Sequence, residues 1–293
     1  MCFWRCVLTS VFCLALADCG TYVPSTREWP NANTLKESDM ISTIIRSVGC
    51  ELSYTVTQVI ENDRRDATYR KTQQTYTDFL NNWGVEVAIN LTVVEKTSVN
   101  PTVLLTPPSG PSSIFTAAAG LAGSAEATRL QKTNVFFTVA DLYRPQLFSV
   151  DSTKRGCRDP RGNKEGSLLV DSDLKLSSLL EGRIGATILN VADSPGSSVP
   201  ITGQKNVLSQ TVSFKIVTSG SITPTWKLVR ASVNPSGTFF STNRDRTHEL
   251  VFTFGPLDKS VKGRPTGLTP LAEATHLNTQ LQTGIRGLVS PLQ

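Results

Sequence analysis

The sequence predicts an α+β protein: an N-terminal helix, a mainly antiparallel β-sheet or sandwich with an inserted short helix, and a C-terminal amphipathic helix. Three observations carry this. Apolar residues recur at three- and four-residue steps from Ile41 to Ile60, at every second position from Val85 to Val93, and at helical steps again from Leu271 to Leu288. A run of strands bracketed by helices is the element order of an α+β fold.

Thr34 and Glu37 have capping-box spacing, and Ile41, Ile44, Ile45, Val48, Leu52, Val56, Val59 and Ile60 form one apolar stripe behind them. From Glu61 to Thr77 the stripe is lost among mixed charges, the pattern of a fraying continuation or an exposed connection, before Phe79, Leu80 and Trp83 return the chain to a core. Val85, Val87, Ile89, Leu91 and Val93 then alternate with their neighbours as in a half-buried strand. Further strands are predicted over 133–142, 211–218, 225–231 and 248–254, with Ser219-Gly220-Ser221 as a hairpin signal and Pro224 at a strand edge or start. The Pro-, Ser-, Gly- and Ala-rich stretch 100–127 has no sustained period and reads as a long loop. Leu176, Leu179, Leu180 and Ile184 mark the inserted helix, and Thr269-Pro270 supplies an N-cap with proline at the first position of the last one. The expected organisation is a signal peptide over 1–18, a tether over 19–33 and a single α+β domain over 34–293. Within it, 34–82 is helical, 83–256 is the β-rich core, and 257–293 holds a linker and the C-terminal helix.

Composition excludes several classes. Of the 293 residues, 39% are hydrophobic and only 20 are Gly and 16 Pro, so the chain is neither collagen-like nor wholly low-complexity. Its net charge of +5 is spread among acids, which gives no reason to expect nucleic acid as a partner. No apolar run reaches the roughly 20 residues of a spanning helix. Five convincing strand runs also fall short of the usual minimum of about eight for a transmembrane barrel.

The N-terminus points to export. Arg5 precedes the apolar run Val7–Ala17, long enough for a signal-peptide core and too short to cross a bilayer. Ala15-Leu16-Ala17 fits ordinary cleavage before Asp18, whereas Leu16-Ala17-Asp18-Cys19 is close to a lipobox, in which Cys19 becomes the acylated first residue. An apolar N-terminal helix docked on the core is the remaining alternative. Pro24 and Pro30 punctuate a polar stretch suited to an extended tether. Cys2, Cys6 and Cys13 leave with a signal peptide and Cys19 is the lipidation candidate, so Cys50 and Cys157 remain. They are either a disulfide closing a loop of ~107 residues or two separate buried thiols.

The segments Cys19-Gly20-Thr21-Tyr22-Val23-Pro24, Gly166 to Leu176, Ser219 to Leu228 and Arg246-Thr247-His248-Glu249-Leu250 resemble an uncharacterised lipoprotein family of rhizobial and related alphaproteobacteria. The likeness spans most of the mature chain. It implies a palmitate-bearing envelope protein anchored at Cys19. The family brings no activity, ligand or catalytic residue with it.

No nucleophile elbow, Walker loop, dinucleotide-binding glycine pattern or His-Glu-x-x-His motif is present, so no catalytic residue, metal or cofactor is predicted. His248 and Glu249 are neighbours on a strand and face opposite sides, while His276 sits on the last helix. Asp171-Ser172-Asp173 lacks the further ligands of a calcium loop and reads as an N-cap from Asp173 or Ser172. Lys154, Arg155, Arg158, Arg161 and Lys164 place five cations in eleven residues around Cys157. This is either a solvated loop or a contact for anionic lipid or an acidic envelope polymer. The favoured expectation is an exported lipoprotein held in the envelope, at the periplasmic face of the outer membrane, acting as a non-enzymatic binding or assembly module with envelope proteins as partners. A divergent envelope hydrolase and a subunit of an outer-membrane channel or secretion assembly are the alternatives.

Overall fold

The computed structural model describes residues 23–24, 37–71, 74–107, 116–148, 173–189, 207–227, 231–235, 237–259 and 263–289. The fold is α+β, with helices at both ends of a run of antiparallel strands. Helix α1 spans Glu37–Tyr69, a 3-10 turn follows at Asp78–Asn82, and β1 runs over Trp83–Val99. Then come β2 (Thr102–Leu105), β3 (Ala117–Gly120), β4 (Gly123–Thr138), the single turn α2 (Val139–Leu142) and helix α3 (Leu176–Ile188). Strands β5 (Leu208–Ile222), β6 (Trp226–Lys227), β7 (Ala231–Val233) and β8 (Phe240–Pro256) precede the last helix, α4 (Pro270–Val289).

The four long strands form one sheet in the order β4-β1-β8-β5, and the short ones a second in the order β3-β2-β7-β6. Side-chain pairs fix the direction of the long strands. Ser98 meets Ser241 and Glu95 meets Arg244, so residue numbers rise on β1 as they fall on β8 by equal steps. The chain forms two compact units. Unit 1 comprises residues 1–26, 91–131 and 215–247; unit 2 comprises 27–90, 132–214 and 248–293.

In unit 2 the sheet is covered on both faces. Gly49 of α1 lies against the Phe137 ring, 3.6 Å from where a β-carbon would stand. On the opposite face His276 and Ala272 of α4 meet Thr253 and Gly255 of β8. Alternation along the strands therefore turns Val85, Val87 and Ile89, with Leu250, Phe252 and Phe254, toward α1, and all six are at most 1% exposed. Strands buried on two faces explain why β1 and β8 are nearly continuous in apolar residues at this end. A β-carbon on Gly255 would stand 2.7 Å from that of Ala272, so only glycine lets α4 approach the sheet this closely. Gly255→Ala is expected to cost about 1 to 3 kcal/mol through this overpacking. An unchanged urea midpoint for the variant would contradict that close approach.

Unit 1 is polar by comparison. Its small sheet is antiparallel throughout, pairing Thr102 with Gly120, Val103 with Val233, and Trp226 with Val233. Asn234, 1% exposed, adopts a left-handed φ of 52°, which asparagine tolerates better than most residues. Its side chain accepts from Thr102 N at 3.0 Å and donates to the Pro224 carbonyl at 3.0 Å, joining β2 to the approach of β6.

The structure revises several boundaries. Residues 61–69 continue α1 as helix. Stretch 100–127, expected as a loop, contains β2, β3 and the start of β4. The strand expected over 133–142 ends at Thr138, whose hydroxyl accepts Asp141 N–H at 3.1 Å and starts a helical turn. Ser219-Gly220-Ser221 lies inside β5 rather than in a hairpin.

Candidate functional site

The most structured polar group of the protein is carried by α1. Between Cys50 and Ile60 this helix is buried around most of its circumference, polar residues included. Glu51, Ser53, Thr57 and Asp63 are each at most 5% exposed. Each binds main-chain groups of another segment, although Asp63 Oδ1 is buried without a hydrogen-bond partner. Glu51 Oε1 accepts Leu174 N–H at 2.8 Å, just ahead of α3. The Ser53 hydroxyl donates to the Leu142 carbonyl at 2.5 Å, and Thr57 Oγ1 accepts Arg144 N–H at 3.0 Å, so the chain leaving α2 is held at two points. Asp63 Oδ2 accepts from Tyr76 N, Thr77 N and Thr77 Oγ1 at 2.7 to 2.9 Å, fixing the return toward β1.

An exposed cluster extends this anchoring. The Tyr143 hydroxyl donates to Glu61, Arg64 Nη1 donates to the Tyr143 oxygen at 2.6 Å, and the guanidinium lies 5.2 Å from the Tyr143 ring centre. Partial burial, then the adjoining Glu61 carboxylate, raise the Tyr143 pKa. Asp141 accepts from the Thr138 hydroxyl at 2.7 Å and from Arg264 at 2.5 Å, and these bonds hold its carboxyl below the usual carboxylate range.

His276 is a buried titratable side chain on α4. It is 1% exposed, its Nδ1 lies 2.8 Å from Thr253 Oγ1, and its Nε2 lies 3.9 Å from Glu86 Oε1. Burial pushes its pKa down to about 4, so the ring is neutral near pH 7. Burial, with the Glu273 carboxylate nearby, raises that of Glu86. The threonine hydroxyl bonds one ring nitrogen and the helix closes over the ring, which describes a packed interior histidine rather than a base poised over a substrate. His248, also 1% exposed, lies within β8, and the adjacent Glu249 accepts from Asn90 Nδ2 at 3.1 Å. Those neighbours face opposite sides of the sheet, so the two do not form an acid–base pair.

The predicted site residues divide into those the structure describes and those it does not. Cys50 is 8% exposed and disulfide-bonded. Every other cysteine, Cys19 and Cys157 included, lies outside the described residues, as do Lys154, Arg155, Arg158, Arg161, Lys164, Asp171 and Ser172. Asp173 does not cap α3. Its Oδ1 accepts Lys175 N–H at 2.9 Å, and Lys175 itself, at φ 60°, is the N-cap. Among the described residues no three His, Cys, Asp or Glu side chains group as metal ligands. No described helix is long and apolar enough to cross a membrane.

Sequence reasoning missed the α1 clamps. The signal was present as Ser53 and Thr57 four residues apart in a stretch otherwise rich in valine and isoleucine, a polar stripe where a one-sided helix would place apolar residues.

In unit 1, charge lies on both faces of the long sheet. Glu95 pairs with Arg244 at 2.9 Å on one face; the next residues along, Lys96 and Asp245, pair with Glu126 at 3.9 Å and Lys215 at 3.4 Å on the other. Val23 and Pro24 belong to this unit, and the Pro24 carbonyl accepts from Arg129 Nη1 at 3.4 Å.

No family model and no curated protein matches the sequence. Among solved structures, the chain is similar to the open-gate form of InvG, the secretin of the Salmonella SPI-1 type III secretion injectisome. The identity is 13% and the TM-score 0.13, over 69% of this chain and 66% of that one. A near-atomic resolution structure of the same secretin is similar at 12% identity and TM-score 0.16, over 69% and 70% of the two chains. The atomic model of the basal body proteins InvG, PrgH and PrgK gives 12% and 0.16, with 50% of that chain covered. At these TM-scores the likeness carries no argument about fold or function.

Proposed function

We propose that the chain is an exported cell-envelope lipoprotein, anchored through Cys19, that works as a non-enzymatic binding or assembly module. The observation that carries this reading is the disulfide at Cys50. Protein disulfides persist in oxidising compartments and are rare in the cytosol, so the bond agrees with the apolar N-terminal run in calling for export. The described buried polar groups support the non-enzymatic half of the reading, since Glu51, Ser53, Thr57 and Asp63 are engaged in holding main chain.

The resemblance to the rhizobial lipoprotein family agrees with this reading. From Cys19 the chain reaches at most ~17 Å to Pro24, so an acyl group on Cys19 would keep the Arg129 strand close to the bilayer surface. The cations Lys154, Arg155, Arg158, Arg161 and Lys164 suit anionic lipid or an acidic envelope polymer as a partner.

Intact mass and membrane fractionation of the protein made in an alphaproteobacterial host test the anchor, with Cys19→Ala as control. The expected result is an acylated mass and pelleting with membranes, both lost in the control. An unmodified chain beginning at Asp18 and remaining in the supernatant overturns it.

A further inference from the structure

Three ion pairs cross the long sheet of unit 1 in one layer. Glu126 on β4 meets Lys96 on β1, Glu95 on β1 meets Arg244 on β8, and Asp245 on β8 meets Lys215 on β5, so all four strands carry charge there. Past this belt the charges stop. The 29 residues 97–125, the 11 residues 216–226 and the 13 residues 231–243 contain no Asp, Glu, Lys, Arg or His. With 18% of the chain charged, the first stretch alone would ordinarily hold about five such residues.

The fold gathers these stretches at one end of unit 1. β1 and β8 run on past the belt, where Asn100 N–H donates to the Phe239 carbonyl at 2.7 Å, and β2 and β7 then pair at the centre of the small sheet. β3 returns to β4 through Leu121, whose N–H donates to the Pro101 carbonyl at 3.0 Å. Asn234 binds the Pro224 carbonyl, which brings in the chain leaving β5. Among the described residues of this end, Lys227 is the only charged one.

This end also buries little of its own. Of its described side chains only Val99 and Asn234 are buried, whereas Leu105, Leu121 and Ile222 are 47%, 77% and 64% exposed. Ala118, Ala119 and Ala122 are exposed beside them. A surface suited to water is about 25–35% charged, and a sheet with uncovered apolar residues calls for a further layer. The three large side chains stand apart, at the end of β2, between β3 and β4, and at the end of β5. A protein partner is held by a contiguous packed patch with a polar rim. Dispersed aliphatic side chains among small and hydroxyl-bearing residues suit a fluid layer that closes around each of them.

We propose that the uncharged end of unit 1 rests in the interfacial layer of a lipid bilayer, with Leu105, Leu121 and Ile222 reaching the acyl chains and the belt of ion pairs left in water. The small sheet does not cross the hydrocarbon, because β3 and β6 stand at its margins and main-chain groups at a margin need water. Anionic lipid is not required, since the belt brings cations and anions in equal number. Pro24 is held by Arg129, three residues from Glu126, so a chain anchored at Cys19 would meet the same bilayer. The inference goes beyond the acyl anchor and stands whether or not that anchor forms.

The test uses the exported Cys19→Ala chain, whose intact mass confirms that the leader is gone, so that neither acyl group nor leader contributes. It is floated with vesicles of pure phosphatidylcholine at rising lipid concentration. The expected binding saturates in millimolar lipid and is the same in about 0.1 and 0.5 M NaCl, because no net charge is being screened. Leu121→Asp and Leu105→Asp each weaken it by about tenfold. Thr128→Asp, at an exposed position of β4 on the other side of the belt, leaves it unchanged. Urea midpoints of the variants confirm that each is folded. Leu121→Trp gains fluorescence quenched by brominated lipid, and Thr128→Trp does not. Absence of flotation at every lipid concentration overturns the proposal, as does flotation indifferent to both leucine variants. Flotation that needs anionic lipid and disappears in high salt also overturns it and assigns the contact to Lys154, Arg155, Arg158, Arg161 and Lys164 instead. Acylation is scored on the protein with Cys19 in place, so failure of the anchor and failure of this contact are distinguishable.

Discussion

Replacing Asp63 with alanine is expected to lower the unfolding free energy by about 3 kcal/mol, because one buried amide, one partly buried amide and one buried hydroxyl lose a charged acceptor together. The carboxylate oxygen Oδ2 takes all three bonds at 2.7 to 2.9 Å, and both Asp63 and Thr77 are at most 5% exposed. Water cannot readily replace the lost acceptor there, so the desolvation cost of Thr77 N–H and of its hydroxyl stays with the fold. Asp63→Asn keeps an acceptor oxygen and loses the charge, and its loss should be smaller. Urea unfolding of the three proteins measures this. A change below about 1 kcal/mol for the alanine variant would mean that the clamp contributes no more than an exposed hydrogen bond.

Acidification is expected to remove a comparable amount of stability through His276. Its pKa in the fold is about 4 against 6.5 for the free side chain. Above pH 6.5 both folded and unfolded chains hold it neutral, and its contribution is fully present. As the pH falls from 6.5 toward 4 the unfolded chain takes up a proton that the folded one refuses, and stability falls by about 3 kcal/mol over the interval. Glu86 works in the opposite sense. Its folded pKa is raised above 4.5, so the fold binds a proton earlier than the unfolded chain and recovers part of the loss at the acid end. Among the described residues Thr253 on β8 and Glu86 on β1 approach this ring and Glu273 on α4 acts on Glu86, so the net slope belongs to that set. Asparagine at 276 keeps an acceptor near the Nδ1 position and has no titration. The urea midpoint of the wild type should drop from pH 7 to pH 5 while that of His276→Asn stays nearly level. Parallel curves for the two proteins would assign the acid sensitivity elsewhere.

Much of the architecture is legible in the residues because burial wrote it there. Wherever an element covers or is covered by another, its period shows: Ile44, Val48 and Leu52 in α1, Val85, Val87 and Ile89 in β1, Ala272 and His276 in α4. The misread parts are those whose conformation rests on main-chain pairing instead. The first half of β4 alternates exposed Glu126, Thr128 and Leu130 with half-buried Ala125, Ala127 and Arg129, a composition that gives no apolar period. Residues 61–69 lose their stripe because most of them face water, yet Ala67 and Asp63 are buried and Glu61 binds Tyr143, which is enough to continue the helix. The turn at 139–142 had a readable signal in Thr138 and Asp141, three apart in the manner of a cap, hidden behind apolar neighbours that suggest a strand. For the site the balance is reversed. The sequence singled out cysteines, histidines and a basic cluster, whereas the buried polar groups of α1 carry no motif. They recognise amides and carbonyls, which every residue has.

That last property distributes mutational tolerance unevenly. A contact that grips main chain does not depend on which side chain the gripped residue bears, so Arg144 and Tyr76 can change without releasing the clamps, whereas Leu142 and Leu174 are held by their own burial as well. Glu51, Ser53, Thr57 and Asp63 have no such freedom. As far as these contacts go, constraint that would ordinarily be shared between two side chains is concentrated in one helix, and the segments it holds are limited by their own packing and by the Thr77 hydroxyl.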